Sequence, residues 1–166
     1  MNLLTFIESK VMDAYSLHKN LALWRFESEK IVFTNGCFDL LHRGHIQYLA
    51  QARMLGTKLI VGLNSDESVQ RLKGPGRPIN DENSRSLMLA SMLFVDAVII
   101  FTEDTPLELI GSVLPDILVK GGDYHPDTIV GADVVRQNGG SVLALPFLEG
   151  FSSTKIAKKI VDSSSE

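Results

Sequence analysis

Five short β-branched runs, each followed by a stretch with helical spacing, constrain this chain more than any other feature. The runs lie at 31–34, 58–63, 97–101, 117–119 and 141–145. They are almost continuously apolar, as in Ala97-Val98-Ile99-Ile100-Phe101. A strand buried on both faces needs that pattern, whereas a strand with one wet face alternates. Between the runs the spacing predicts helices over 43–55, 66–72, 82–94, 106–114 and 127–138. Ile46, Leu49, Ala50 and Arg53 mark the period in the first of these. Pro106 reads as a first-turn proline behind a cap at Thr105. A further helix is expected from near Ser152, with Ile156, Ile160 and Val161 on one face, before a frayed polar tail over 162–166. Strands alternating with helices give an α/β fold, a doubly wound parallel five-stranded sheet with helices on both faces.

Ahead of the first strand, Leu3, Leu4, Ile7, Val11 and Tyr15 predict one amphipathic helix over 2–18. Its apolar stripe suits packing on the sheet or on a second subunit of a homodimer. Residues 1–29 therefore read as an N-terminal helix and linker, 30–161 as the main domain and 162–166 as a flexible tail. The 45% apolar content provides a core for one domain. A net charge of −4 lacks the basic excess expected of a nucleic-acid partner. The apolar runs are too short to span a membrane, and the N-terminus lacks a signal-peptide pattern. Lone Cys37 excludes an internal disulfide and fits a reducing compartment. The expected location is cytoplasmic.

In such sheets ligands bind beyond the carboxyl ends of the strands. The first strand runs straight into Asn35-Gly36-Cys37-Phe38-Asp39-Leu40-Leu41-His42-Arg43-Gly44-His45. Gly36 permits close backbone approach. His42 and His45 are three apart, so at a helix start they face the same way. Unpaired N–H groups and the helix dipole favour a phosphate chain there. Two imidazoles can donate hydrogen bonds to its oxygens without a fixed positive charge. For either histidine alone, a cap or core hydrogen bond is the commoner explanation; the whole string after a strand favours phosphate chemistry. The chain shows no Walker loop, no Gly-x-Ser-x-Gly element and no metal-ligand cluster.

The string resembles the HxGH signature of the nucleotidyltransferase superfamily, and its Gly-Cys-Phe-Asp-Leu-Leu-His form resembles the cytidylyltransferase-like branch. Four further stretches are similar to the heptose-1-phosphate adenylyltransferases. They are Arg71-Leu72-Lys73-Gly74-Pro75-Gly76-Arg77-Pro78-Ile79-Asn80, Glu103-Asp104-Thr105-Pro106, Leu118-Val119-Lys120-Gly121-Gly122-Asp123-Tyr124 and Glu149-Gly150-Phe151-Ser152-Ser153-Thr154-Lys155. The likeness covers about 30–161 and implies a Rossmann-like fold. It also implies transfer of AMP from ATP to D-glycero-D-manno-heptose 1-phosphate, giving ADP-heptose and pyrophosphate for lipopolysaccharide or other surface-glycan assembly. In that family the domain is often fused to a sugar kinase; here the expectation is a stand-alone form, with the kinase on another protein. Mg²⁺ is implied through the ATP phosphates, without dedicated protein ligands.

The resemblance implies roles for particular residues. His42, His45 and Lys73 are the candidate catalytic groups, with Lys73 a mobile cation in a Gly- and Pro-rich loop and a solvated surface charge as its alternative. Asn35, Gly36, Cys37 and Phe38 line the nucleotide, although a small buried side chain explains Cys37 equally well. Arg85 is either a phosphate-binding arginine or an exposed helix charge. Gly122 and Asp123 follow the fourth strand, where ribose, substrate hydroxyls and metal remain alternatives for Asp123. Ser152, Ser153 and Thr154 fit both an N-cap and a phosphate site. Asp39 reads as a cap of the following turn. The runner-up is a cytidylyltransferase acting on glycerol 3-phosphate or a similar alcohol phosphate. From another class, a nucleotide-binding module without catalysis is disfavoured by the intact His42, His45 and Lys73.

Overall fold

The computed structural model describes residues 2–122, 124–148 and 150–163, without the side chain of Val161. Strands β1 (Ile31–Gly36), β2 (Lys58–Asn64), β3 (Ala97–Phe101), β4 (Ile117–Gly121) and β5 (Ser141–Leu145) form one parallel sheet in the order β3-β2-β1-β4-β5. The expected doubly wound α/β architecture is what forms. Alternate residues of one strand feed opposite layers. Phe33 and Ile60 join a cluster with Ile110, Leu118 and Val135, whereas Val32, Leu59 and Val61 join Leu49, Leu89 and Val119. Both faces are covered, so the strands needed continuous apolar runs.

Helices α3 (Arg43–Arg53) and α5 (Glu82–Ala90) cover one face, and α6 (Leu107–Val113) and α7 (Ala132–Gln137) the other. Helix α4 (Asp66–Lys73) follows β2, capped by the Ser65 hydroxyl, which accepts from the Ser68 amide at 3.1 Å. Helix α8 (Ser153–Ser163) closes the described chain and continues past the point where a frayed tail was expected. Among the described residues no helix is long and apolar enough to cross a membrane.

The N-terminal segment differs from the single helix expected over 2–18. It forms α1 (Leu3–Glu8) and α2 (Ala14–Phe26). Asp13 interrupts the run because its carboxylate accepts the Ser16 amide at 2.7 Å and starts a new helix. Between the helices, Val98 donates to Lys10 O and Met12 donates to Val98 O, covering the open edge of β3. Helix α2 buries Leu17, Leu21 and Trp24 in the core, while Tyr15 of the expected stripe is 78% exposed.

The helix expected over 127–138 is also broken. A 3₁₀ turn, Pro126–Thr128, precedes α7, with Gly131 between them at φ +85°. Pro106 is the N-cap of α6 itself rather than a residue of its first turn, and it supplies no side-chain cap. Helix α5 stops at Ala90, where Met92 and Val95 continue in turns before β3.

Candidate active site

The chain runs from β1 to β2 on one side, then crosses to place β4 on the other side of β1. The switch point is therefore between β1 and β4, where an α/β sheet opens a crevice. A cavity of about 290 Å³ lies there, walled by Asn35, Gly36, Cys37, Phe38, Asp39, His45, Tyr48, Lys73 and Lys120, among others. The signature string supplies one wall because β1 ends at Gly36 and α3 begins at Arg43, leaving a tight loop between them. A Cβ on Gly36 would meet the Phe38 ring at 3.0 Å. Phe38 turns through φ +44° and sets its ring edge-on to His45, with centroids 5.3 Å apart.

His42 is the N-cap of α3, yet its side chain makes no capping hydrogen bond. Its ring stacks on His45 at 3.9 Å between centroids. A Cβ on Gly44 would lie 3.0 Å from His42 Nδ1, so the glycine leaves room for that stack. Among the described residues, Nδ1 of both rings is buried and without a hydrogen-bond partner. Desolvation lowers the pKa of His42. Burial, then His42 and Lys73, push His45 down to about 4. Both rings are consequently neutral near pH 7. They are able to donate without bringing a net charge.

Asp39 is fully buried and does not cap the next turn. Its carboxylate accepts from Arg77 Nη1 at 2.6 Å and from the amides of Ile79 and Asn80 at 2.7 and 3.2 Å. Burial acts to raise its pKa, but those donors outweigh it and hold the carboxyl below its ordinary value. The basic stretch 74–80 is thus tied onto the signature loop. Lys73 is the last residue of α4, not part of that loop, and its exposed side chain reaches the cavity wall.

Arg85 is fully buried, which removes the exposed-charge alternative. Its guanidinium donates to Cys37 O at 2.6 Å, Asn80 O at 3.0 Å and Asp66 Oδ1 at 2.7 Å. The side chain braces the loop from behind and is not among the cavity-lining groups. Ser153 lines the cavity and donates to Leu40 O at 3.0 Å. Ser152 Oγ accepts the Lys155 amide, an ordinary cap of α8, and Thr154 is exposed. Gly122, at φ +115°, borders a neighbouring cleft with Tyr124, Phe147 and Phe151. Asp123 lies outside the described residues.

Tyr48, Lys120, Tyr124 and Phe147 also wall the cavity, and the sequence assigns none of them a role. Tyr48 is buried, shares a 2.6 Å hydrogen bond with Thr34 and donates to Val119 O at 3.3 Å. It falls three residues after His45 on the same helix, so the helical period pointed to it. Lys120 and Phe147 enter the cavity from strand and loop segments distant in sequence, a placement that follows only from the sheet order.

Residues 33–159 match the cytidylyltransferase-like family, and the chain belongs to that family. It is 51% identical over 155 residues to the bifunctional protein HldE of Syntrophotalea carbinolica, covering 93% of this chain and 32% of that protein. It is 58% identical over 142 residues to the bifunctional protein HldE of Campylobacter jejuni, covering 86% of this chain and 30% of that one. The chain spans about a third of the length of these relatives. Among solved structures, the lipopolysaccharide core biosynthesis protein from Thermoplasma volcanium superposes with a TM-score of 0.58 and 30% identity. That match covers 72% of this chain and 97% of the other. Pantoate–β-alanine ligase from Francisella tularensis, at TM-score 0.55 and 16% identity, covering 90% and 76%, shares the fold alone.

Proposed function

We propose that the chain transfers AMP from ATP to a heptose 1-phosphate, releasing pyrophosphate and forming ADP-heptose for surface-glycan assembly. The observation that carries the chemistry is the neutral, stacked pair His42 and His45 at the start of α3, with His45 lining the same cavity as Lys73. The choice of acceptor is supported by the identity with HldE proteins and by the likeness to a lipopolysaccharide core biosynthesis protein. It also draws on the resemblance of 71–80 and 118–124 to heptose-1-phosphate adenylyltransferases.

The acceptor's phosphate oxygen attacks the α-phosphorus of ATP. A bond forms between them as the bond to the β-phosphate oxygen breaks, and pyrophosphate leaves with that electron pair. A phosphate monoester is already ionised, so no general base is required. His42, His45 and Lys73 donate to the phosphoryl oxygens as charge shifts toward the leaving group. Neutral rings suit this task because they stay donors without titrating near pH 7. The amides at the start of α3 add partial positive charge. The cleft bordered by Tyr124, Phe147 and Phe151 offers aromatic faces for the base.

Among the described residues no group of three or more His, Cys, Asp or Glu side chains is placed to hold a metal. The cavity's donors fit phosphate oxygens, so Mg²⁺ is assigned to the triphosphate, where it would neutralise charge. Pyrophosphate release tests the reading with ATP and CTP, each against heptose 1-phosphate and glycerol 3-phosphate. ATP with heptose 1-phosphate is expected to turn over best. Turnover confined to CTP and glycerol 3-phosphate would replace this reading with the cytidylyltransferase one.

A further inference from the structure

Lys120 is a partly buried cation with no carboxylate partner among the described residues. It leaves β4 beside Asn35 of β1, at the switch point of the sheet. Its ammonium donates to Asn35 Oδ1 at 3.3 Å and forms no ion pair among the described residues. A lysine carries three N–H donors, so two remain without a protein acceptor there. Burial lowers its pKa, with Cys37 acting in the opposite direction. A partly desolvated ammonium with spare donors is favoured by an anionic partner.

The same residue walls two cavities. One is the phosphate cavity already described, and the other is lined by Asn35, Pro106, Lys120, Tyr124, Thr128 and Ile129, with Val130 at its half-exposed rim. The second measures about 180 Å³, on the order of six water volumes at ~30 Å³ each, a monosaccharide scale. Its apolar walls and the Tyr124 ring suit the C–H face of a pyranose. Asn35 Nδ2 has no partner among the described residues and is free to donate. Thr128 Oγ1 donates to His125 O at 2.8 Å, which leaves its lone pairs for a hydroxyl.

We propose that this second cavity holds the sugar of the phosphorylated acceptor, with Lys120 Nζ at the junction binding the acceptor's phosphate. The inference rests on the adenylyltransfer reading and deepens it by locating the acceptor. Lys120 then separates the two substrates: nucleotide phosphates toward His45 and Lys73, sugar toward Thr128 and Ile129. The arrangement places the attacking phosphate beside the histidine pair without using either histidine to hold the sugar.

The test is steady-state pyrophosphate release with ATP and heptose 1-phosphate for wild type, Lys120→Met and Val130→Trp, with thermal melting as a folding check. Lys120→Met is expected to raise the acceptor KM about tenfold to a hundredfold, the scale for a hydrogen bond to a charged group. The KM for ATP should stay within about threefold, since in this arrangement His45 and Lys73 hold the nucleotide phosphates. Val130→Trp narrows the cavity without touching Lys120 and should produce the same one-sided change, so it decides the matter if Lys120→Met melts early. A rise in the ATP KM instead, or an unchanged acceptor KM in both folded variants, overturns the inference alone. No pyrophosphate release by the wild-type protein overturns the reading beneath it, and the inference with it.

Discussion

His42 and His45 lie ring on ring, 3.9 Å between centroids and 21° between planes, each with a buried Nδ1 that no described protein group meets. Buried polar atoms without partners are uncommon and costly, and they concentrate where a ligand completes them. Replacing His45 with Ala should cut turnover at least about a hundredfold, the scale for losing one preorganised donor. The protein should stay folded with only a modest fall in melting temperature, because the ring makes no hydrogen bond that supports the fold and only its contacts with His42 and Phe38 are lost. Pyrophosphate release and a thermal melt on the same preparation check both halves.

The burial of His45 also sets a pH dependence. Its folded pKa is about 4, whereas an unfolded histidine titrates at about 6.5. The unfolded chain therefore takes up the proton first as pH falls. The stability from this group is fully present above about 6.5 and is lost as pH drops toward 4. His42 is shifted in the same direction. Urea unfolding at steps between these limits should show a shallower pH slope for His45→Gln than for wild type. Equal slopes would contradict a buried neutral ring.

Asp39 is expected to be the loop's structural anchor. Removing its carboxylate leaves Arg77 and two amides facing a hole, and breaking a buried pair from one side costs about 3–5 kcal/mol. Asp39→Ala should lose stability on that scale in urea unfolding. Activity should also fall, because the stretch 74–80 directly follows Lys73.

Lys73 and Arg85 should separate cleanly. Lys73 is exposed at the cavity rim, so Lys73→Met should leave the melting temperature near wild type and raise the ATP KM about tenfold. Arg85 donates to three fixed acceptors from full burial. A lysine cannot reproduce that fork. Arg85→Lys should cost about 2–4 kcal/mol of stability, the range for a buried charged network, and affect nucleotide binding only through the loop.

How much of this was readable in the chain depended on how local each cause was. The strands were legible because a doubly covered sheet demands continuous apolar runs, and the signature string was legible because β1, loop and helix start are contiguous. The N-terminal region was misread because Leu3, Ile7, Val11 and Tyr15 keep an even period across Asp13, while the cap at Asp13 resets the helix. The stripe that matters is Leu17, Leu21 and Trp24. Leu21→Ala should therefore cost about 2–5 kcal/mol, as for a core leucine, measured by urea unfolding. Arg85 and Lys120 were opaque for another reason. Whether a cation braces a loop or faces a cavity depends on partners that the sheet order brings together across dozens of residues.

The site is expected to transfer the adenylyl group directly to a sugar phosphate. ATP labelled at its α-phosphorus, incubated with heptose 1-phosphate and the protein, measures that transfer. All the label consumed should appear in ADP-heptose, with unlabelled pyrophosphate formed one for one. Label appearing in free AMP or ADP, or remaining in ATP while CTP and glycerol 3-phosphate react, would contradict the account.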